Sequence, residues 1–164
     1  MRVIWVTGLP GSGKTTFSRK LLAALRTRNL QSVLLDGDDL RAAFNDQFGY
    51  SKEERIEASK VYVNLAQMLA KQGVTVIVST VSLFEEVFVY LNAKIPAAKV
   101  IFMDASSNIL DLRNQKQLRS VNSISSPGIT LQVDFPSNPT MRLRGEETDE
   151  ELMLILERIC DLIQ

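Results

Sequence analysis

The feature that most constrains this chain is a short glycine-rich stretch near its start. Gly8-Leu9-Pro10-Gly11-Ser12-Gly13-Lys14-Thr15 follows the apolar run Val3-Ile4-Trp5-Val6 and leads at once into a helical pattern. The spacing is G-x-x-x-x-G-K-[ST] between a strand and a helix, the setting in which that motif has a mechanism. Glycines let successive backbone amides turn inward around a chain of phosphates, and the helix N-terminus adds its partial positive charge. Lys14 then reaches the β- and γ-phosphates, while the Thr15 hydroxyl is placed to ligate Mg²⁺. The stretch from Gly8 to Thr16, Pro10 and Ser12 included, is expected to bind MgATP.

That anion must be held locally, because 19 Lys+Arg balance 19 Asp+Glu and leave a formal net charge of zero. A neutral chain has no global field to gather DNA, RNA or an anionic membrane, and none is expected as a partner. With no histidine, imidazole bases, His-containing triads and His metal sites are excluded. Acid–base work falls to carboxylates or a lysine. One cysteine, Cys160, permits no intrachain disulfide, and neither a signal-peptide core nor an apolar run long enough to span a bilayer is visible. A cytoplasmic protein is expected, and 164 residues suit a single domain over 1–164.

Short β-branched runs alternate with amphipathic stretches. Val3–Val6, Ser32–Leu35, Val74–Val78 and Val100–Met103 read as buried strands, with Met141–Leu143 a weaker fifth. Helical patterns cover Lys14–Arg28, Lys52–Gln72, Leu83–Asn92, Ser106–Asn114 and Asp149–Leu162. The βαβα alternation predicts an α/β fold built around a parallel sheet. Ser51 with Glu54 and Thr148 with Glu151 have capping-box spacing, and Gly73 stands where the long helix should stop. Gln115–Pro139, rich in serine and proline, reads as a long mobile loop, of a length that is usually functional or disordered. On the last helix Leu152, Leu154, Ile155, Ile159 and Cys160 suit the core or a homodimer interface, the core being the expectation.

The second strand ends in Asp36-Gly37-Asp38-Asp39-Leu40-Arg41. Ligands of open α/β sheets bind beyond the carboxyl ends of the strands, so this acidic turn should share a crevice with the glycine-rich loop. Asp36 and Asp38 can organise Mg²⁺ or take a proton from an attacking hydroxyl, and Arg41 can clamp an anionic acceptor. Asp38 is favoured as the proton acceptor, being further from the strand end. Asp39 is read as the cap of the helix that follows.

Taken together, Gly8–Thr16, Leu35–Arg41, Phe48-Gly49-Tyr50-Ser51, Glu54-Arg55, Arg113–Leu118 and Pro136-Ser137-Asn138-Pro139 resemble the adenylylsulfate (APS) kinase family. The resemblance implies a three-layer P-loop NTPase sandwich, a five-stranded parallel sheet flanked by helices, with a lid loop at about 114–139. It implies transfer of the ATP γ-phosphate to the ribose 3′-hydroxyl of a nucleotide. Position by position, Asp38 would activate the acceptor hydroxyl, Arg41 and Arg55 would hold its charged diester, and Tyr50 would stack on its base. Ser82 would line the acceptor site after the third strand, while Arg113 and Lys116 would lie on the lid above ATP. Two bland alternatives stand beside these: Arg55 pairing with Glu54 or Glu57, and Tyr50 acting as a hydrophobic staple before Ser51.

Departures cluster on the acceptor side. Ala58 stands where the family pattern D-R-x-E-N has its amide, Ser82-Leu83-Phe84-Glu85 replaces S-P-[FY]-R, and Ser126-Pro127-Gly128-Ile129 replaces F-T-G-I. The stretch Ser82 to Glu86 resembles the branch of the family tied to capsular polysaccharide biosynthesis, in which cytidine diphosphoramidate is one acceptor. APS and the cytidine nucleotide are held level as acceptors. A small-metabolite kinase, of the shikimate or gluconate kind, and a non-catalytic ATP sensor are the rivals.

Overall fold

The structure, a computed structural model, describes residues 1–117 and 132–163, and of residues 113–117 the backbone alone. Five strands, β1 (Val3–Gly8), β2 (Ser32–Asp36), β3 (Thr75–Thr80), β4 (Lys99–Met103) and β5 (Met141–Leu143), form one sheet in the order β2-β3-β1-β4-β5. Every neighbouring pair is parallel. The helices are α1 (Lys14–Thr27), α2 (Gly37–Ala43), α3 (Lys52–Lys71), α4 (Glu85–Lys94), α5 (Ser107–Gln117) and α6 (Asp149–Leu162).

Strand periodicity explains the layers. Successive side chains of a strand point to opposite faces, so a strand apolar throughout needs cover on both. Val3 and Trp5 of β1, with Val76 and Val78 of β3, pack beneath Ala58, Tyr62, Val63 and Ala66 of α3 and Val87 and Leu91 of α4. Ile4, Val6 and Ile77 face the other way, against Phe17, Leu21 and Leu25 of α1 and Ile159 and Cys160 of α6. Each buried Val, Leu, Ile or Phe among them contributes about 1.5–3 kcal/mol. The three-layer expectation holds. On α6, Ile159 and Cys160 are core, Leu152 and Ile155 pack against it, and Leu154 departs from expectation by standing 67% exposed.

Both capping boxes form. The Glu54 amide donates to Ser51 Oγ at 3.2 Å while Glu54 Oε2 accepts from the Ser51 amide at 3.1 Å. Thr148 and Glu151 repeat the exchange at 3.2 and 2.9 Å. Several boundaries differ from the sequence reading, most by one or two residues, and three of them bear on the site. The third strand continues through Ser79 and Thr80, whose polar side chains are buried at the sheet edge. Helix α4 begins at Glu85 because Leu83 and Phe84, fully apolar and thus helix-like in pattern, are buried in extended backbone as the chain leaves the sheet. Helix α5 runs on to Gln117, past Asn114. Among the described residues no helix is long and apolar enough to cross a membrane.

Register then places the site. Thr7 pairs with Thr80 and Asp36 with Ser79, so the exits of β1, β2 and β3 open at one carboxyl edge. Central β1 lies between β3 and β4, where the strand order reverses direction, and crevices of open α/β sheets form at that switch.

Candidate active site

The loop after β1 folds back on itself by a bond from the Ser12 amide to the Leu9 carbonyl at 3.1 Å. Gly13, the residue before α1, holds φ at 95°, left-handed backbone that a side chain would strain. At Gly8 the constraint is space: an added Cβ would stand 2.6 Å from the Met103 carbonyl oxygen and 2.7 Å from Ser12 Oγ. Local geometry thus accounts for glycine at two motif positions without any ligand.

Lys14 shows what the loop is for. It is 8% exposed, and its Nζ donates to the Leu9 carbonyl at 2.8 Å and lies 3.5 Å from Ser12 Oγ. Among the described residues no carboxylate lies within ion-pair distance of it. Burial pushes the ammonium down to about 8, against a smaller opposing pull from Asp36 and Asp38. A buried cation without a carboxylate in ion-pair contact among the described residues fits an anion, and a triphosphate is the anion this loop is shaped for.

Asp36 closes the other side. Its Oδ2 accepts from Thr15 Oγ1 at 2.9 Å and its Oδ1 from the Asp38 amide at 3.1 Å. The helix cap is therefore Asp36, not Asp39, which sits exposed in the first turn of α2. The reason is phase: the chain turns helical at Gly37, immediately after the strand, so the last strand residue takes the cap. Thr15 and Asp36 put two hard oxygens side by side, a donor set that suits Mg²⁺ completed by phosphate and water. Asp38 is exposed on that turn, and its carboxylate has no hydrogen-bond partner among the described residues. Thr16 is exposed one residue along α1.

Arg41, Tyr50 and Arg55 come together on the far side of the acidic turn. The Arg41 guanidinium lies 4.6 Å from the centre of the Tyr50 ring and that of Arg55 5.3 Å. Arg41 also donates to the carbonyls of Phe48 and, at 3.2 Å, Gly49, and Arg55 Nε donates to that of Tyr50 at 3.0 Å. The Tyr50 ring is 57% exposed. Burial, followed by repulsion from Arg41, lowers the Arg55 guanidinium below its usual value. Glu54 and Glu57, the bland partners considered for Arg55, contact Ser51 and Lys60 respectively.

Behind the two arginines is a narrow pocket lined by Ala58, Ser59, Tyr62, Thr80, Ser82 and Phe84 as well. Ser82 is buried there, with Oγ 2.5 Å from Ser59 Oγ and 3.0 Å from Thr80 Oγ1. Ser59, Thr80 and Tyr62 escaped the sequence reading. The one signal that could have found them is helical phase: Ser59 and Tyr62 follow Arg55 at spacings of four and seven, one face of α3. The side chains of Arg113 and Lys116, and the lid segment over 118–131, lie outside the described residues.

A parallel sheet with its phosphate loop at the switch point, a buried lysine and an acidic turn beside it define the class: this is an ATP-dependent P-loop kinase. The chain belongs to the adenylylsulphate kinase family, whose model matches residues 1–144. It is 33% identical over 150 residues to an adenylyl-sulfate kinase of Deinococcus deserti, covering 88% of this chain and 82% of that one. To the cytidine diphosphoramidate kinase of Campylobacter jejuni it is 34% identical over 135 residues, covering 81% and 79%. The solved structure of a Mycobacterium tuberculosis APS kinase in complex with AMPPNP and APS superposes with a TM-score of 0.86 at 25% identity, covering 98% of this chain and 96% of that one.

Proposed function

We propose that this chain transfers the γ-phosphoryl group of ATP to the ribose 3′-hydroxyl of an anionic nucleotide, APS or cytidine diphosphoramidate. One observation carries this reading. Across the Asp36–Asp38 turn from the triphosphate loop, two guanidiniums flank an exposed tyrosine ring. Cations there hold an acceptor's phosphate-borne charge, and the ring offers a base a stacking surface worth about 1–3 kcal/mol. A small metabolite without a base would leave that surface unused.

Bound MgATP would supply the phosphoryl group and a cation that spreads the charge of its oxygens, held by Gly8–Thr16 with Thr15 and Asp36 nearest the metal. The rest is the work of this chain. Lys14 neutralises charge as it gathers on the transferred group. Asp38 accepts the proton of the acceptor hydroxyl, its carboxylate left uncommitted because Asp36 takes the structural bonds. Arg41, Arg55 and Tyr50 fix the acceptor so that the hydroxyl lies in line, which converts binding into orientation. A cytoplasmic setting, where ATP is at hand and a lone thiol stays reduced, is part of this reading.

Cytidine diphosphoramidate is the second reading within the same chemistry. Ala58, 2% exposed, lines the acceptor pocket where the family pattern has an amide, so one contact to an APS-like acceptor is absent. A coupled ATP-consumption screen with APS, cytidine diphosphoramidate and shikimate tests the proposal. Phosphorylation of a nucleotide at its 3′-oxygen, lost in Asp38→Asn, is the expected result. Turnover of shikimate alone, or of none of the three, overturns it.

A further inference from the structure

The pocket behind Arg41 and Arg55 has a hydrogen-bonding polarity that follows from counting protons. Ser59 Oγ lies 2.7 Å from the Arg55 carbonyl, and a carbonyl only accepts, so the Ser59 proton is committed there. Ser82, 2.5 Å away, must then donate to Ser59. Thr80, 3.0 Å from Ser82, must in turn donate to Ser82. All three protons run one way, toward α3, and the hydroxyls keep only lone pairs to offer. Tyr62 lines the same pocket, is 3% exposed, and its hydroxyl has no partner among the described residues. Its ring stacks on Phe44 at 6.4 Å, which fixes it without using the oxygen. Burial pushes this phenol up, so it stays protonated.

Resting on the nucleotide-kinase reading above, we propose that this pocket selects an acceptor whose anionic end carries an N–H group, a phosphoramidate rather than a sulfate. The anionic oxygens face the guanidiniums of Arg41 and Arg55. The N–H donors meet the lone pairs of Ser82 and Ser59, and Tyr62 O–H completes the set. A sulfate has only acceptor oxygens and would confront those serine lone pairs with nothing to share. Buried polar groups left unpaired in this way discriminate far more strongly than a change of size.

The test compares cytidine diphosphoramidate with cytidine diphosphate, the same nucleotide with oxygen in place of nitrogen, and with APS. Cytidine diphosphate carries the greater negative charge, so attraction to the arginines alone would favour it. The parent protein is expected to prefer the phosphoramidate by at least about tenfold in kcat/KM. Ser59→Ala frees the Ser82 proton to point into the pocket, and the preference should fall by about tenfold. Tyr62→Phe should raise the acceptor KM by about tenfold with kcat and the KM for ATP unchanged. It should melt no lower than the parent, because it removes a hydroxyl that the unliganded fold leaves unpaired. A parent that turns over APS or cytidine diphosphate as well as the phosphoramidate, or variants that leave KM and preference untouched, would overturn the inference while the kinase reading stands. If no nucleotide is phosphorylated, that reading falls first.

Discussion

The two halves of the site are built differently. The triphosphate loop is one contiguous stretch, Gly8 to Thr15, linked to the acidic turn by the bond from Thr15 to Asp36. The proposed acceptor pocket is assembled from α2, α3 and the segment leaving β3, with Arg41, Arg55 and Ser82 far apart in sequence. A site made of backbone amides depends on φ, ψ and the absence of side chains, so its residues are nearly prescribed. A pocket made of side chains depends on which of them meet, and single substitutions re-tune it. That contrast accounts for a family likeness that is strong over the donor loop and departs at Ala58, Leu83 and Glu85, around the acceptor.

Substitutions that attack each half sharpen the contrast. The largest effect is expected for Lys14→Met, which should lower kcat/KM at least about a thousandfold by removing charge stabilisation from the transferred group. The same variant should melt higher than the parent. A lysine held at about 8, below its ordinary 10.5, binds fewer protons folded than unfolded between those values, so its burial opposes folding at neutral pH and the penalty is relieved as pH rises through that window. A K14M protein that melts lower would refute this account of the buried ammonium.

Next is Asp38→Asn, expected to lower kcat by about 10² to 10⁴ in steady-state assays with little change in the KM for ATP. Equal damage from Asp36→Asn with none from Asp38→Asn would reassign the proton acceptor. Smaller again, Tyr50→Ala should weaken acceptor binding by about tenfold and leave ATP binding alone, since the ring is exposed and its loss removes stacking without unfolding anything. The smallest effect is that of pH. With Lys14 half neutral at about pH 8, ATP affinity measured by calorimetry should be about twofold lower there than at pH 6.5, and should keep falling above it.

Legibility followed the range of the interactions. Both capping boxes, the break at Gly73 and the strand–loop–helix of the phosphate site are exchanges within a few residues, and all were readable. Pattern alone puts the start of α4 too early, because Leu83 and Phe84 suit a buried helix face and a buried extended segment equally. Propensity points to Asp39 as the cap of α2, since it cannot tell which of three aspartates stands where the strand ends and the helix begins. Arg41, Tyr50 and Arg55 were each picked out singly. That two guanidiniums share one ring is a tertiary fact.

The linear chain by itself settled the alternation of buried strands and amphipathic helices, the loop that cradles phosphates and the acidic turn beside it, since each is enforced by neighbours along the backbone. Only the folded molecule decided the strand order, the partition of Asp36 from Asp38, and the one-way run of protons from Thr80 through Ser82 to Ser59. Those depend on contacts such as Thr15 with Asp36 and Ser59 with Ser82, pairs 21 and 23 residues apart that the fold brings within three ångströms, and no local pattern encodes a distance of that kind.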